Sequence, residues 1–280
     1  MKNLPDVQEH QSPKYPIIIK KVGIENFKLP FHLKLRDNSE PIQLFAETSI
    51  MTNISENKKG ISMSRLLLSI KDYLNEGLCW DTIKKCLDNI AINVETDYSY
   101  LKFDFDFPIL KKSPLSENMF PIFYSCYFEG FKRKEKYQFN QSVTVQYSSY
   151  CPCSAALAKE LEIQGFPHAQ RSFAKIILTM DLMHKKQIWL EDIIDIVLGN
   201  IKTQPYPIIK RIDEQEISRI ASENPIFVED AIRIISHNLE KIEGINDWIV
   251  KCVHEESIHT HDAIAVNWKG VDNGFNVKSI

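Results

Sequence analysis

The chain has 280 residues, 44% of them hydrophobic, enough to bury a sizeable core in one large domain or two small ones. Lysine and arginine number 34 against 37 aspartate and glutamate, a formal net charge of -3, which gives no support to wholesale nucleic-acid binding. No apolar run approaches the roughly 18 residues of a membrane span, and the polar opening MKNLPDVQEHQSPKYP lacks the apolar stretch of a secretory signal. No membrane partner is expected, and the expected compartment is the cytoplasm, where thiols stay reduced.

The first 16 residues read as a loose arm. After them, YPIIIKKVGIENFKLPFHLKL and IQLFAETSIMTNI carry the β-branched and aromatic content of two strands. In SMSRLLLSIKDYLN, Met63, Leu66, Leu67, Ile70, Tyr73 and Leu74 recur at helical spacing. WDTIKKCLDNIAIN predicts a second helix with Asp81 as its N-cap. YLKFDFDFPIL alternates, with Leu101, Phe103, Phe105 and Phe107 on one face and Lys102, Asp104 and Asp106 on the other, the pattern of a sheet with one buried face. FPIFYSCYFEGF is its expected hairpin partner.

The second half repeats this order. FNQSVTVQYSS (Val143, Val145, Tyr147) and AQRSFAKIILTMDL read as strands, with a cysteine-bearing segment between them. WLEDIIDIVLGNIKT has a helical apolar stripe. ENPIFVEDAIRIISHNLEKI predicts a second helix, with Pro225 near its first turn and Gly244 past its end. DWIVKCVHEES and AIAVNWKG close the chain as strands. Each half therefore reads strand–strand–helix–helix–strand–strand, which implies an α+β protein of antiparallel sheet with helices packed on one face. Residues 17–280 form a single domain of two repeated modules, 17–134 and 135–280. Sheets of this kind leave open edges that association could cover.

Five groups of residues invite chemistry. YCPCS places Cys151 and Cys153 one residue apart; a thiolate is a good ligand for zinc or iron(II), but the spacing alone leaves metal ligation and a structural pair equally open. A disulfide is disfavoured by the reducing compartment and by the strain of so short a ring. Cys79, Cys86, Cys126 and Cys252 read as small buried hydrophobes. His168, in FPHAQRS, sits at the start of a strand close to the cysteine loop, and Arg171 follows as a surface cation or an anion contact. Among the carboxylates, Asp213, Glu214, Glu216 and Asp230 suit solvated helix faces, while Glu229, following Ile226-Phe227-Val228, is expected to be partly buried and in need of a partner. A purine presenting two adjacent N–H donors would be one. His259 and His261, two apart in ESIHTHDAIAV, would share a face if on a strand, suiting a metal pair, acid–base work or a polar strand end. Lys58, Lys59 and Gly60 precede a helix containing Arg65. That combination suits a phosphate cradle or a solvated turn, and it lacks the spacing of a Walker loop.

Taken in order, LPDVQ, KKGISMSR, CPCS, PHAQRS, YPIIKRIDEQ, ENPIFVEDAIR and ESIHTHDAIA resemble the type IB form of bacterial GTP cyclohydrolase I, nearly end to end. The resemblance implies the tunnelling fold, a homotetramer with sites near subunit interfaces, and one divalent metal per site, whether zinc, manganese or iron(II). It implies hydrolysis of GTP to 7,8-dihydroneopterin triphosphate and formate, the first step of folate biosynthesis. By position in the motifs, Cys151, His168 and Glu214 match metal ligands, Glu229 matches the guanine anchor, and His259 matches the acid–base histidine. Lys59 and Arg65 are expected at the triphosphate. The chain departs from many members in having Ile61 and Ser62 where a histidine-bearing segment is usual, and in a longer stretch between Cys151 and His168, where AALAKELEIQGF is expected to form a small helix. Alternatives within the same fold are a nitrile-reducing enzyme with a cysteine nucleophile, an archaeal cyclic-phosphate-forming relative, and a purine or pterin binder without catalysis.

Overall fold

The computed structural model describes residue 8 and residues 11–37, 39–160, 167–181 and 187–279. Most of the expected arm therefore lies outside the described residues. Eight strands are ordered as in the sequence: β1 (Ile19–Leu33), β2 (Ile42–Ile54), β3 (Tyr98–Lys112), β4 (Met119–Arg133), β5 (Lys136–Tyr150), β6 (Ala169–Met180), β7 (Ile245–Glu255) and β8 (Ala263–Trp268). The pairs β1–β2, β2–β3, β6–β7 and β7–β8 are antiparallel. The described helices are α1 (Met63–Lys71), α2 (Trp80–Asn93), α3 (Pro152–Glu160), α4 (Leu190–Asn200), α5 (Arg211–Glu223) and α6 (Val228–Leu239). No helix among the described residues is long and apolar enough to cross a membrane.

Contacts gather into two compact units, residues 1–106 with 127–140, and residues 107–126 with 141–280. In the first, the alternation of β3 does what its pattern dictates: Leu101, Phe103 and Phe105 are buried, while Lys102 and Asp104 are not. Phe31, Phe103, Phe105, Phe128, Trp80 and Phe139 form a chain of ring contacts with centroids 4.9–5.9 Å apart. Helix α2 lies so close to β4 that a Cβ on Gly130 would fall 2.6 Å from Ile83 Cγ2, so only glycine fits there. Asp81 is not the N-cap: α2 begins at Trp80, Cys79 occupies the cap position, and Asp81 falls in the first turn. The backbone entering the helix is already tied, with Leu78 N–H on His32 O and Thr82 Oγ1 on Gly77 O, and the cap lies two residues earlier than the sequence pattern suggests.

One defect in this core is testable. Thr48 is fully buried in the row Ala46, Thr48, Ile50, Thr52, and among the described residues its hydroxyl has no hydrogen-bond partner. An unpaired buried hydroxyl costs about 1–3 kcal/mol. Thr48→Val, which keeps the shape and removes the orphan, should therefore raise the unfolding free energy by about 1 kcal/mol in urea denaturation; a destabilised variant would show that Thr48 has a partner.

In the second unit Val143, Val145 and Tyr147 of β5, Ala174, Ile176 and Leu178 of β6, and Trp248, Val250 and Cys252 of β7 are buried. They are joined in the core by Ile193, Ile194 and Val197 of α4 and Ala231, Ile232 and Ile235 of α6. This half carries two helices beyond the expected pair. Helix α3 is the small helix foreseen between Cys151 and His168, though it starts at Pro152, and the end of that segment (161–166) lies outside the described residues. Helix α5 is not in the expected element order; only Asp213 and Ala221 of its 13 residues are buried, so its apolar face is weakly marked. Helix α6 starts at Val228, so Pro225 lies before its N-cap, Phe227, while Gly244 follows the helix with φ 93°.

Candidate active site

At the end of β5 the chain turns from Tyr150 through Cys151 into α3, and the Cys151 carbonyl accepts the first helical bond from Ala155 N–H (3.0 Å). Proline at the first helical position of α3 suits this start, because its missing N–H would have no partner there and its φ is pre-set. The proline therefore serves the helix start, and it places the two sulfurs unequally: Cys151 is half-buried and Cys153 is exposed. Cys151 N–H reaches the carbonyl of His168 (3.3 Å), which ties the cysteine to the start of β6.

His168 is half-buried, its Nδ1 3.4 Å from Ser257 Oγ and 4.0 Å from Glu256 Oε2. Glu256 in turn accepts a 2.5 Å hydrogen bond from Gln170 Nε2. On the other flank Ile226 N–H bonds Tyr150 O (3.0 Å), which brings the start of α6 against the end of β5. Glu229 stands in the first turn of α6, where a carboxylate is favoured by the helix dipole. Its charge is felt by His254, as is that of Glu256.

The structure places the remaining candidates and corrects the burial expected of Glu229. Glu229 is exposed, because Ile226 and Phe227 precede the helix and only Val228 turns into the core. His259 and His261 are not on a strand; they lie in the β7–β8 loop, exposed, with rings stacked at 5.1 Å and 18°. Glu214 is exposed on α5. Among the described residues no group of three or more His, Cys, Asp or Glu is placed to hold a metal, so the structure brings Cys151 and His168 together without adding Glu214. Arg171 is exposed, in register with Glu255 across the β6–β7 pair.

The other acidic candidates have structural roles. Asp213 is fully buried and accepts Leu115 N–H, Ser116 N–H, Ser116 Oγ–H and Lys210 N–H at 2.5–2.9 Å, pinning the β3–β4 turn to the start of α5. Burial pushes its pKa up, but these four donors outweigh it and hold the carboxyl well below the usual range. Glu216 pairs with Arg219, and Asp230 with Arg233. Lys59 and Arg65 belong to the first unit. Both are exposed, at the loop and first turn of α1; the Lys59 ammonium contacts Gln11 Oε1, and Lys58, Gly60, Ile61, Ser62 and Arg65 line a small pocket there.

The sequence reading overlooked a buried polar cluster beside Cys151 and His168: Tyr147, Ser149, Gln170, Ser172 and His254, none more than 6% exposed. The signal was the strand alternation itself, which continues past Tyr147 to Ser149 and past Cys252 to His254 on the buried faces. Burial pushes His254 down to about 4, against the weaker pull of Glu256 and Glu229. The fold thus favours the neutral ring. Stability from this site is complete above the ordinary histidine pKa near 6.5 and is lost as pH falls from there towards 4, because the unfolded chain binds the proton first. Allowing for partial solvent screening, about 2 kcal/mol should disappear across that window. Urea denaturation at pH 7 and pH 4.5, compared with the same pair for His254→Asn, measures it; an equal drop in both proteins would assign the loss elsewhere.

The model of the type I GTP cyclohydrolase FolE2 family matches residues 4–265. The chain belongs to that family. It is 31% identical to the GTP cyclohydrolase FolE2 of Cereibacter sphaeroides (strain ATCC 17029), an alignment covering 96% of this chain and 76% of that one. It is 32% identical to the GTP cyclohydrolase FolE2 of Thermotoga neapolitana, covering 95% and 97%. Among solved structures the uricase from Arthrobacter globiformis superposes with a TM-score of 0.54 over 92% of this chain and 96% of that one, at 5% identity. The urate oxidase of Bacillus subtilis gives 0.50 over 89% and 97%, at 6% identity. At such identities the likeness speaks for fold alone, and the fold is the α+β tunnelling fold that the motifs implied.

Proposed function

We propose that this chain hydrolyses GTP to 7,8-dihydroneopterin triphosphate and formate, the first step of folate biosynthesis, in the cytoplasm. The observation that carries the chemistry is the joining of Cys151 to His168 at the ends of β5 and β6, in a chain of the GTP cyclohydrolase FolE2 family.

The donor chemistry of this pair fits a divalent ion. A thiolate and an imidazole suit zinc, iron(II) or manganese in a site that keeps a position open. With Nδ1 of His168 facing Ser257 and Glu256, Nε2 is the nitrogen left to bind, the usual arrangement for a ligating histidine. Cys151 and His168 would hold the ion, one per site. Glu214, exposed on α5, would complete the set from another copy in a homotetramer, and for this reason no third ligand need stand beside the pair within one chain. When bound, the ion supplies Lewis acidity that makes hydroxide available near neutral pH.

The remaining work falls to side chains. Glu229 accepts the N1–H and N2–H of guanine on its two oxygens, and its exposure leaves both free to do so. Water adds at C8, and His259 passes a proton to the imidazole-ring nitrogen that leaves as the ring opens; a histidine suits proton exchange at neutral pH. A second hydrolysis releases C8 as formate, after which the ribose rearranges and the pyrazine ring closes. Lys59 and Arg65 would receive triphosphate oxygens at the start of α1, where backbone N–H groups also favour anions. The two modules proposed are residues 17–134 and 135–280, meeting in the β4–β5 turn at Lys134 and Glu135.

Incubating the protein with GTP and manganese, zinc or iron(II), oxidising the products and reading pterin fluorescence tests this. The proposal expects a metal-dependent fluorescent pterin; no pterin with any of the three would overturn it.

A further inference from the structure

Three neighbouring strands change character at one end. Along the buried faces, Val143 and Val145 of β5, Ile176 and Ala174 of β6, and Val250 and Cys252 of β7 give way to Tyr147 and Ser149, to Ser172 and Gln170, and to His254. Ser172 and His254 are register partners, so the polar groups form one patch, next to Cys151 and His168. Burying so many polar groups is costly where an apolar core would serve, yet every one of these is hydrogen-bonded.

The directions of these bonds follow from donor and acceptor counts. Glu256, a carboxylate, only accepts, so the Gln170 amide turns Nε2 to it (2.5 Å) and Oε1 to Ser149 (2.6 Å). The single hydroxyl proton of Ser149 is thereby committed to Gln170. Its other two neighbours, Ser172 Oγ (2.8 Å) and His254 Nδ1 (3.1 Å), must both donate to it. With Nδ1 protonated on a neutral ring, His254 Nε2 accepts, and the Tyr147 hydroxyl donates to it (2.9 Å). All hydrogens then point one way, from Tyr147 through His254, Ser149 and Gln170 to Glu256.

We propose that Tyr147, His254, Ser149 and Gln170 form a one-way hydrogen-bond chain that orients the Glu256 carboxylate 4.0 Å from His168 Nδ1, where its charge favours the proton on Nδ1 and leaves Nε2 to the reacting centre. This rests on the assignment of His168 to that centre. Gln170 and its buried neighbours are positioning residues: each acts through Glu256.

The test cuts the chain at two points, Gln170→Met and Ser149→Ala, the second in case the first does not fold. With histidine nitrogens labelled, 15N NMR of the metal-free protein reads the His168 tautomer, its signals assigned by their loss in His168→Asn. Unsubstituted protein should show the Nδ1–H form, and both cuts should shift His168 towards a mixture. Turnover of GTP should fall about 10–100-fold in kcat, with KM changed less than about threefold, since these buried groups act through His168. Thr48→Val, an equally buried loss of a hydroxyl in the first unit, should leave both readings unmoved. A folded Gln170→Met or Ser149→Ala protein with the His168 tautomer and kcat unchanged would overturn the inference. Because the tautomer is read without GTP, an inactive unsubstituted protein would sink the cyclohydrolase reading while this chain is still tested on its own.

Discussion

Cys151→Ala should abolish turnover, with kcat for pterin formation lowered by about 10³-fold or more, since the sulfur belongs to one of the two candidate ligands that a backbone hydrogen bond joins, and Lewis-acid activation is worth several kcal/mol. Bound metal per chain should fall in parallel, as read by elemental analysis after dialysis. The neighbouring thiol makes the comparison sharp. Cys153 is exposed on the first turn of α3 and Cys151 is half-buried against the start of β6, so Cys153→Ala should keep activity within about threefold. Full activity in Cys151→Ala would remove the metal-ligand assignment, and equal losses in the two variants would mean that the pair works as a unit.

Glu229→Gln should lower kcat/KM for GTP by about 10²–10³-fold, because the amide offers one acceptor and one donor to two N–H groups that both need acceptors. The expected loss is specific to the base. Inosine triphosphate lacks the exocyclic amino group, so the preference of the unsubstituted enzyme for GTP over inosine triphosphate should shrink in the variant. The change should leave stability within about 0.5 kcal/mol, as Glu229 is exposed and, among the described residues, its carboxylate makes no hydrogen bond or ion pair. Steady-state kinetics with both nucleotides checks this; an undiminished preference would place the guanine elsewhere.

Much of the fold was legible because its signals are local. The alternation in β3 and β5 fixed which side chains enter the core, and the spacing of Ile193, Ile194 and Val197 marked α4. Helix α5 escaped because its helicity rests on a feature outside periodicity: Asp213 accepts the Lys210 N–H at the start of the helix and also pins a turn about a hundred residues away in sequence. The same residue shows how misleading composition can be, since an acidic stretch read as solvated contains a fully buried carboxylate.

The site was legible as motifs and much less so as geometry. Cys151 and His168 were picked out by type, and their joining is a tertiary fact, a backbone bond between the end of β5 and the start of β6. The burial expected of Glu229 failed because apolar neighbours in sequence are not neighbours in space once a helix begins at Val228. The i, i+2 spacing of His259 and His261 is shared by strands and loops, and here it belongs to a loop. Ser149, Gln170 and His254 lay in plain view on the buried parity of their strands, but serine and glutamine carry no chemical signature until their partners are known.

The central claim is that this chain removes C8 of GTP as formate. Turnover of GTP labelled with 13C at C8, followed by 13C NMR of the small molecules, measures that atom directly. The account predicts labelled formate in a one-to-one ratio with an unlabelled pterin. Label retained in the nucleotide, or found in an opened-ring product with no formate released, would contradict it.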